Sequence, residues 1–148
     1  MTIKSNIQDA LKQAMKNRDT VRLECLRMAK GALLLKEKSG PKDKELSDED
    51  ATVALRAEVK KRQQSIDTYR ELKKDDEVEK LQAEIKALED FLPQQLTPEQ
   101  TEEKVRAYLA EHPDIDHPGK LTGALKKELG DQADGKILNE ICRKVLEA

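Results

Sequence analysis

Between Ser47 and Leu92 the apolar residues advance along the chain by alternating fours and threes. Leu55, Val59, Ile66 and Tyr69 form one series, with Arg62 standing in its middle slot. Val78, Leu81, Ile85, Leu88 and Leu92 form the next. Such steps return to one face of a helix at every turn, whereas a strand would alternate in twos. Two long, thinly striped segments predict either an antiparallel helical hairpin or one long bent helix, with Lys73-Lys74-Asp75-Asp76 at the turn or kink. Ser47 is the expected cap of the first of them, with Asp50 at the third position after it. Composition points the same way. Aromatics are 2% of the chain and Trp is absent, which argues against a β-rich fold, because strands favour aromatic and β-branched residues. Strong helix formers dominate instead. The predicted class is all-α.

The remaining segments read as shorter helices. S-N-I-Q at Ser5 has capping-box form, and Ile7, Leu11, Ala14 and Met15 follow on one face. Asn17, Arg18 and Asp19 form a break. A second helix, from about Asp19 to Lys36, carries two apolar stripes: Val21, Cys25, Met28, Ala32 and Leu35, and Leu23, Leu26, Leu33 and Leu34, with Lys30 in a heptad slot of the latter. A helix apolar on two sides is expected between other elements. S-G-P-K-D-K-E-L reads as a loop. The string F-L-P-Q-Q-L-T-P-E-Q then punctuates the chain: Pro93 closes one helix, Thr97 caps another, Pro98 takes its first position, and Gln100 completes a capping box. A boundary here gives a helical domain of 1–96, holding the long hairpin, and a three-helix tail of 97–148. The tail helices fall at about 98–111, 119–129 and 135–147, with Ile137 and Leu138 in the core of the last.

The net charge of −2 conceals a gradient. Residues 1–46 hold 11 Lys and Arg against 6 Asp and Glu, net +5; residues 47–96 hold 9 against 13, net −4; the tail holds 8 against 11, net −3. A basic first third suits an anionic partner or a solvated helical surface. Cys25 and Cys142 stand alone, without metal-like spacing, which fits buried thiols in a reducing compartment. MTIKSNIQDA has no apolar h-region, and no run reaches the roughly 20 residues of a membrane span. The expected location is the cytoplasm.

Chemical motifs are sparse. G-D-Q-A-D-G-K-I, residues 130–137, matches a phosphate loop except at its hydroxyl position, where Ile137 stands. Its surroundings are wrong, because a helix rather than a strand precedes it and Asp131 and Asp134 bring negative charge; Gly130 reads as a left-handed helix cap. His112 and His117 lie in a Pro- and Asp-rich turn without further ligands. No constellation marks catalysis, a metal or a cofactor, and none of these is expected. Lys30 and Arg62, in apolar slots, either snorkel to solvent or line an anion site or pair with carboxylates between helices. Gly119-Lys120 and Gly135-Lys136 open two tail helices. There, free N–H groups and a lysine suit either simple helix initiation or a bound phosphate.

LKQAMKNRD, LRMAKGALLLKE, LRAEVKKRQQSIDTYRE, ALEDFLPQQLTPEQ and GKLTGALKKELGDQADGKILNEICRKVL occur in that order. Together they resemble the free-standing YqeY-like proteins of the GatB/YqeY family across nearly the whole chain. The resemblance implies an N-terminal helical domain and a small helical tail. It also implies kinship with the C-terminal portion of the B subunit of glutamine-dependent Asp-tRNA/Glu-tRNA amidotransferases. In that enzyme the tail contacts tRNA, while a separate domain, without counterpart here, binds ATP and metal. The label of carbon–nitrogen ligase with glutamine as amide donor therefore describes the relative. Gly119, Lys120, Gly123, Gly135, Lys136 and Asn139 match the family's tail motif. With Arg27, Lys30 and Arg62 of the first domain, Gly119, Lys120, Gly135, Lys136 and Asn139 make up the RNA- or anion-binding candidates. Expected partners are tRNA or, alternatively, an amidotransferase or aminoacyl-tRNA synthetase subunit; neither membrane nor DNA is expected.

Overall fold

The computed structural model describes residues 2–42 and 44–147. Helices α1 (Ile3–Lys16), α2 (Thr20–Ser39), α3 (Asp48–Glu71), α4 (Asp75–Glu89), α5 (Pro98–Glu111), α6 (Pro118–Leu129) and α7 (Gly135–Glu147) follow one another, with no strand among the described residues. The chain divides into two compact units, Met1–Pro93 and Gln94–Ala148.

In the first unit, α2 and α3 each touch the three other helices. Ile7, Leu26, Leu33, Leu55 and Leu88 are fully enclosed in its core, and each such side chain contributes about 1.5–3 kcal/mol by leaving water. Lys73 takes a left-handed φ of 58°, which reverses the chain between α3 and α4. Arg62 of α3 meets Glu84 of α4, and Arg56 meets the carbonyl of Pro93. Partners that climb as their mates descend make the pair an antiparallel hairpin, not one bent helix.

Several local expectations shift by a few residues. The first helix is capped by Thr2, not Ser5: the Thr2 side chain accepts from the Ser5 N–H and the Ser5 hydroxyl accepts from the Thr2 N–H. Thr2 thus adds a turn that the S-N-I-Q pattern hides. The helix before Pro93 ends at Glu89, and tighter bonds from Phe91 to Leu88 and from Leu92 to Glu89 finish it ahead of the proline. The loop after α2 begins only beyond Ser39, and its Asp43 lies outside the described residues. On α2, Cys25, Leu26, Ala29 and Leu33 are buried, whereas Val21, Met28 and Leu35 of the first stripe are exposed. Three neighbours cover only part of the circumference of α2, and these three side chains face outward while Cys25 of the same stripe faces the core.

In the second unit, Val105, Leu121, Leu125, Leu138 and Cys142 form the core together with Ala133 from the loop before α7. Ile137 is only half-buried and stands outside that cluster. Thr97 and Gln100 make the capping box of α5, with Pro98 at its first position.

Candidate binding surface

The two Gly-Lys helix starts carry their own acceptors. His117 caps α6, its Nδ1 accepting the Gly119 N–H at 3.0 Å, and its carbonyl accepts from the Leu121 N–H at 3.2 Å. Pro118 has no N–H, so Lys120 is left as the donor of that first turn. At α7, the Asp134 carboxylate accepts from the N–H groups of Lys136 and Ile137 at 2.9 and 3.1 Å. An anion arriving at Gly135-Lys136 must therefore displace an internal one. The Lys120 and Lys136 side chains are exposed, as are Gly119 and Gly135. Asn139 is half-buried, its Oδ1 3.3 Å from the Thr122 hydroxyl, and so ties α7 to α6.

The loop between α6 and α7 has the opposite polarity to a phosphate cradle. Gly130, at φ 58°, turns the chain. From there, four successive carbonyls each accept a hydrogen bond: Gly130 and Ala133 from Lys126 Nζ, Asp131 from Gln95 Nε2 at 2.9 Å, and Gln132 from the Leu96 N–H at 2.8 Å. A phosphate would need N–H groups where this loop gathers donors onto its C=O groups. The Gln95 and Leu96 bonds join the lead-in of the second unit to its GDQADGK segment.

Arg62 is enclosed, at 5% exposure. Its Nη1 lies 3.0 Å from both the carboxylate and the carbonyl of Glu58, its Nε lies 3.5 Å from Glu84 without a hydrogen bond, and its Nη2 reaches Met28 Sδ. Of the alternatives open at this slot, the guanidinium takes pairing with carboxylates, and a phosphate has no approach to it. Burial pushes the thiols of Cys25 and Cys142 above their ordinary range; at Cys25 the nearby Arg62 charge opposes this. His112 stacks on Tyr108, and no group of three His, Cys, Asp or Glu among the described residues is placed to hold a metal ion.

Lys30 and Arg27 have a different setting. They border an open groove of about 450 Å³ between α1 and α2. Helix α1 supplies Gln8, Leu11, Lys12 and Met15; helix α2 supplies Arg27, Lys30, Gly31 and Leu34. Both sets follow the same i, i+3, i+4, i+7 pattern, so each helix offers one face over two turns. Among the described residues, three cations line the groove and no carboxylate does. None of the three cations forms an ion pair with a described residue. Two other clefts differ in charge. One, near Cys25, mixes Asp19, Arg22, Glu84, Lys86 and Asp90, with Arg22 paired to Asp90 at 3.6 Å; the other carries Asp48, Glu49 and Asp90.

Two exposed large apolar side chains, Met15 and Leu34, line the groove. Of seven among the described residues, Met15, Val21, Met28, Leu34 and Leu35 belong to α1 or α2, and only Val53 and Leu72 lie elsewhere. Sequence reasoning singled out Arg27 and Lys30 but missed Gln8, Lys12 and Gly31. The matching four-residue patterns on the two helices were the available signal.

No helix among the described residues is long and apolar enough to cross a membrane. A family model described as Yqey-like protein matches residues 4–146. No curated protein matches the chain.

Proposed function

The chain belongs to the YqeY-like family, and on that premise we propose that it is a non-catalytic, tRNA-associated helical module. It acts as an adaptor that joins the machinery of tRNA-dependent amidation through its α1–α2 face. The observation that carries this reading is the union, in one groove, of Lys12, Arg27 and Lys30 with exposed Met15 and Leu34. Exposed apolar area beside uncompensated charge is the ordinary signature of a docking surface. Kinship with the B-subunit tail directs the partner to an amidotransferase or aminoacyl-tRNA synthetase subunit. The ligase chemistry stays with that partner, and the two free buried thiols suit a reducing cytoplasm. Size-exclusion chromatography with each subunit, with and without tRNA, tests the reading. Co-elution that is lost in a Lys12→Glu, Lys30→Glu variant is expected. Migration apart from every subunit and from tRNA refutes it.

A second reading, direct contact with the tRNA backbone, is favoured by the absence, among the described residues, of any carboxylate in the groove. Three neutralised phosphates would give a log–log salt slope of about −2.7, and each charge removed would lower it by about one. Filter binding across a salt series measures this. An unchanged slope after Lys12→Glu rules the contact out.

A further inference from the structure

We infer that the α1–α2 groove is a docking site for an acidic amphipathic helix of a partner protein. The inference rests on the adaptor reading of the same face and goes further, naming what the face holds. Shape comes first. Each wall presents residues over i to i+7, a length of about 10 Å at 1.5 Å per residue. A groove of that kind accepts the apolar face of a helix, with anchors at i, i+3 or i+4, and i+7. Its floor comes next. Leu11, Met15 and Leu34 line it, and Met15 and Leu34 are exposed. Methionine adapts to varied apolar partners. A polyphosphate would bury these groups against charge without gain, and no aromatic side chain lines the groove to stack a base.

Charge then selects the occupant. Lys12, Arg27 and Lys30 meet no carboxylate among the described residues, so the complementary helix carries Asp or Glu beside its apolar stripe. Gly31 supplies an independent observation. It lies within α2, where glycine disfavours the helix, yet a Cβ built there meets nothing within 4 Å. Internal packing does not require the glycine, and the open space beside it leaves room for a close neighbour on the groove side.

The test uses the full chain and a panel of fluorescent 18-residue helical peptides. Each has Leu or Ile at i, i+3, i+4 and i+7 and is flanked by Glu. Controls are a peptide of equal composition with the apolar positions scrambled, a Lys-flanked peptide, and unfractionated tRNA. Anisotropy is expected to show acidic amphipathic peptides binding at least ten-fold more tightly than the scrambled and Lys-flanked ones. Gly31→Leu, which fills the groove, and Lys30→Glu should each weaken binding at least ten-fold while the circular-dichroism melting curve is retained. Equal binding of the scrambled peptide overturns the inference, as does failure of the whole panel. Tighter binding of tRNA that Gly31→Leu weakens makes the groove an RNA site and overturns it too. Peptide failure with subunit co-elution intact sinks this inference alone; peptide binding without co-elution sinks the proposed function instead.

Discussion

Replacing Arg62 by methionine removes the cation between Glu58 and Glu84 while keeping most of the aliphatic volume beside Met28. Both carboxylates are largely enclosed, at 13% and 12% side-chain exposure. Breaking a buried pair by deleting one member costs about 3–5 kcal/mol, chiefly because the surviving charge is stranded. Glu58 keeps the exposed Lys61 ammonium at 3.3 Å and water reaches both glutamates, so the lower end, about 3 kcal/mol, is the ceiling. That is a large part of the roughly 5–15 kcal/mol that holds a domain folded. In a unit of this size it lowers the melting temperature by about 12–24 °C. Tyr69 of α3 provides the readout: in a Tyr108→Phe background, urea unfolding followed by tyrosine fluorescence reports the first unit alone. Arg62→Met combined with Glu58→Gln and Glu84→Gln should recover stability to within about 1 kcal/mol of the parent, since no charge is then stranded. A single substitution costing less than about 1 kcal/mol would refute the enclosed triad. A triple variant no better than the single one would do the same.

Three further outcomes follow from the geometry. Asp134→Ala removes an acceptor shared by two N–H groups and should cost the tail about 1 kcal/mol, measured by urea unfolding followed through Tyr108. The Glu37 carboxyl is held below its usual range by the Lys4 ammonium and the Leu46 N–H. Its folded-state value is depressed, so its contribution is complete above the ordinary carboxylate range and fades as pH falls through the lowered value. The Leu46 amide resonance should follow that acid titration, and Glu37→Gln should flatten it. Burial raises both thiols, so iodoacetamide at pH 8 should leave Cys25 and Cys142 unmodified until urea opens each unit. Rapid labelling of either in the native chain would contradict its enclosure.

Helix positions were legible wherever a local device wrote them. Thr97, Pro98 and Gln100 start α5 as expected, because a capping box is settled within four residues. At the start of α1, two capping residues, Thr2 and Ser5, lie a turn apart, and the pattern alone favoured the wrong one. Which apolar residues are covered depends on distant neighbours. Val21, Met28 and Leu35 share heptad spacing with true core positions, and only the placement of α1, α3 and α4 leaves them outside. The Gly-Lys helix starts were visible, but Asp134 and His117 as their occupants were not, since capping geometry is decided by backbone angles. Arg62 was recognised as anomalous. Its partner Glu84 lies on the other arm of the hairpin, too far along the chain for any local pattern to reveal.

The bonds from Gln95 and Leu96 to the 131–132 carbonyls bear on how the tail can be excised. A fragment starting at Thr97 retains every residue of α5, α6 and α7 yet loses both hydrogen bonds that this short lead-in donates to the 131–132 carbonyls. Each hydrogen bond lost costs about 0.5–1.5 kcal/mol, and a small unit has little to spare. A fragment starting at Gln94 keeps both donors. The working beginning of the tail is therefore ahead of its first helix, in a stretch with no regular structure of its own.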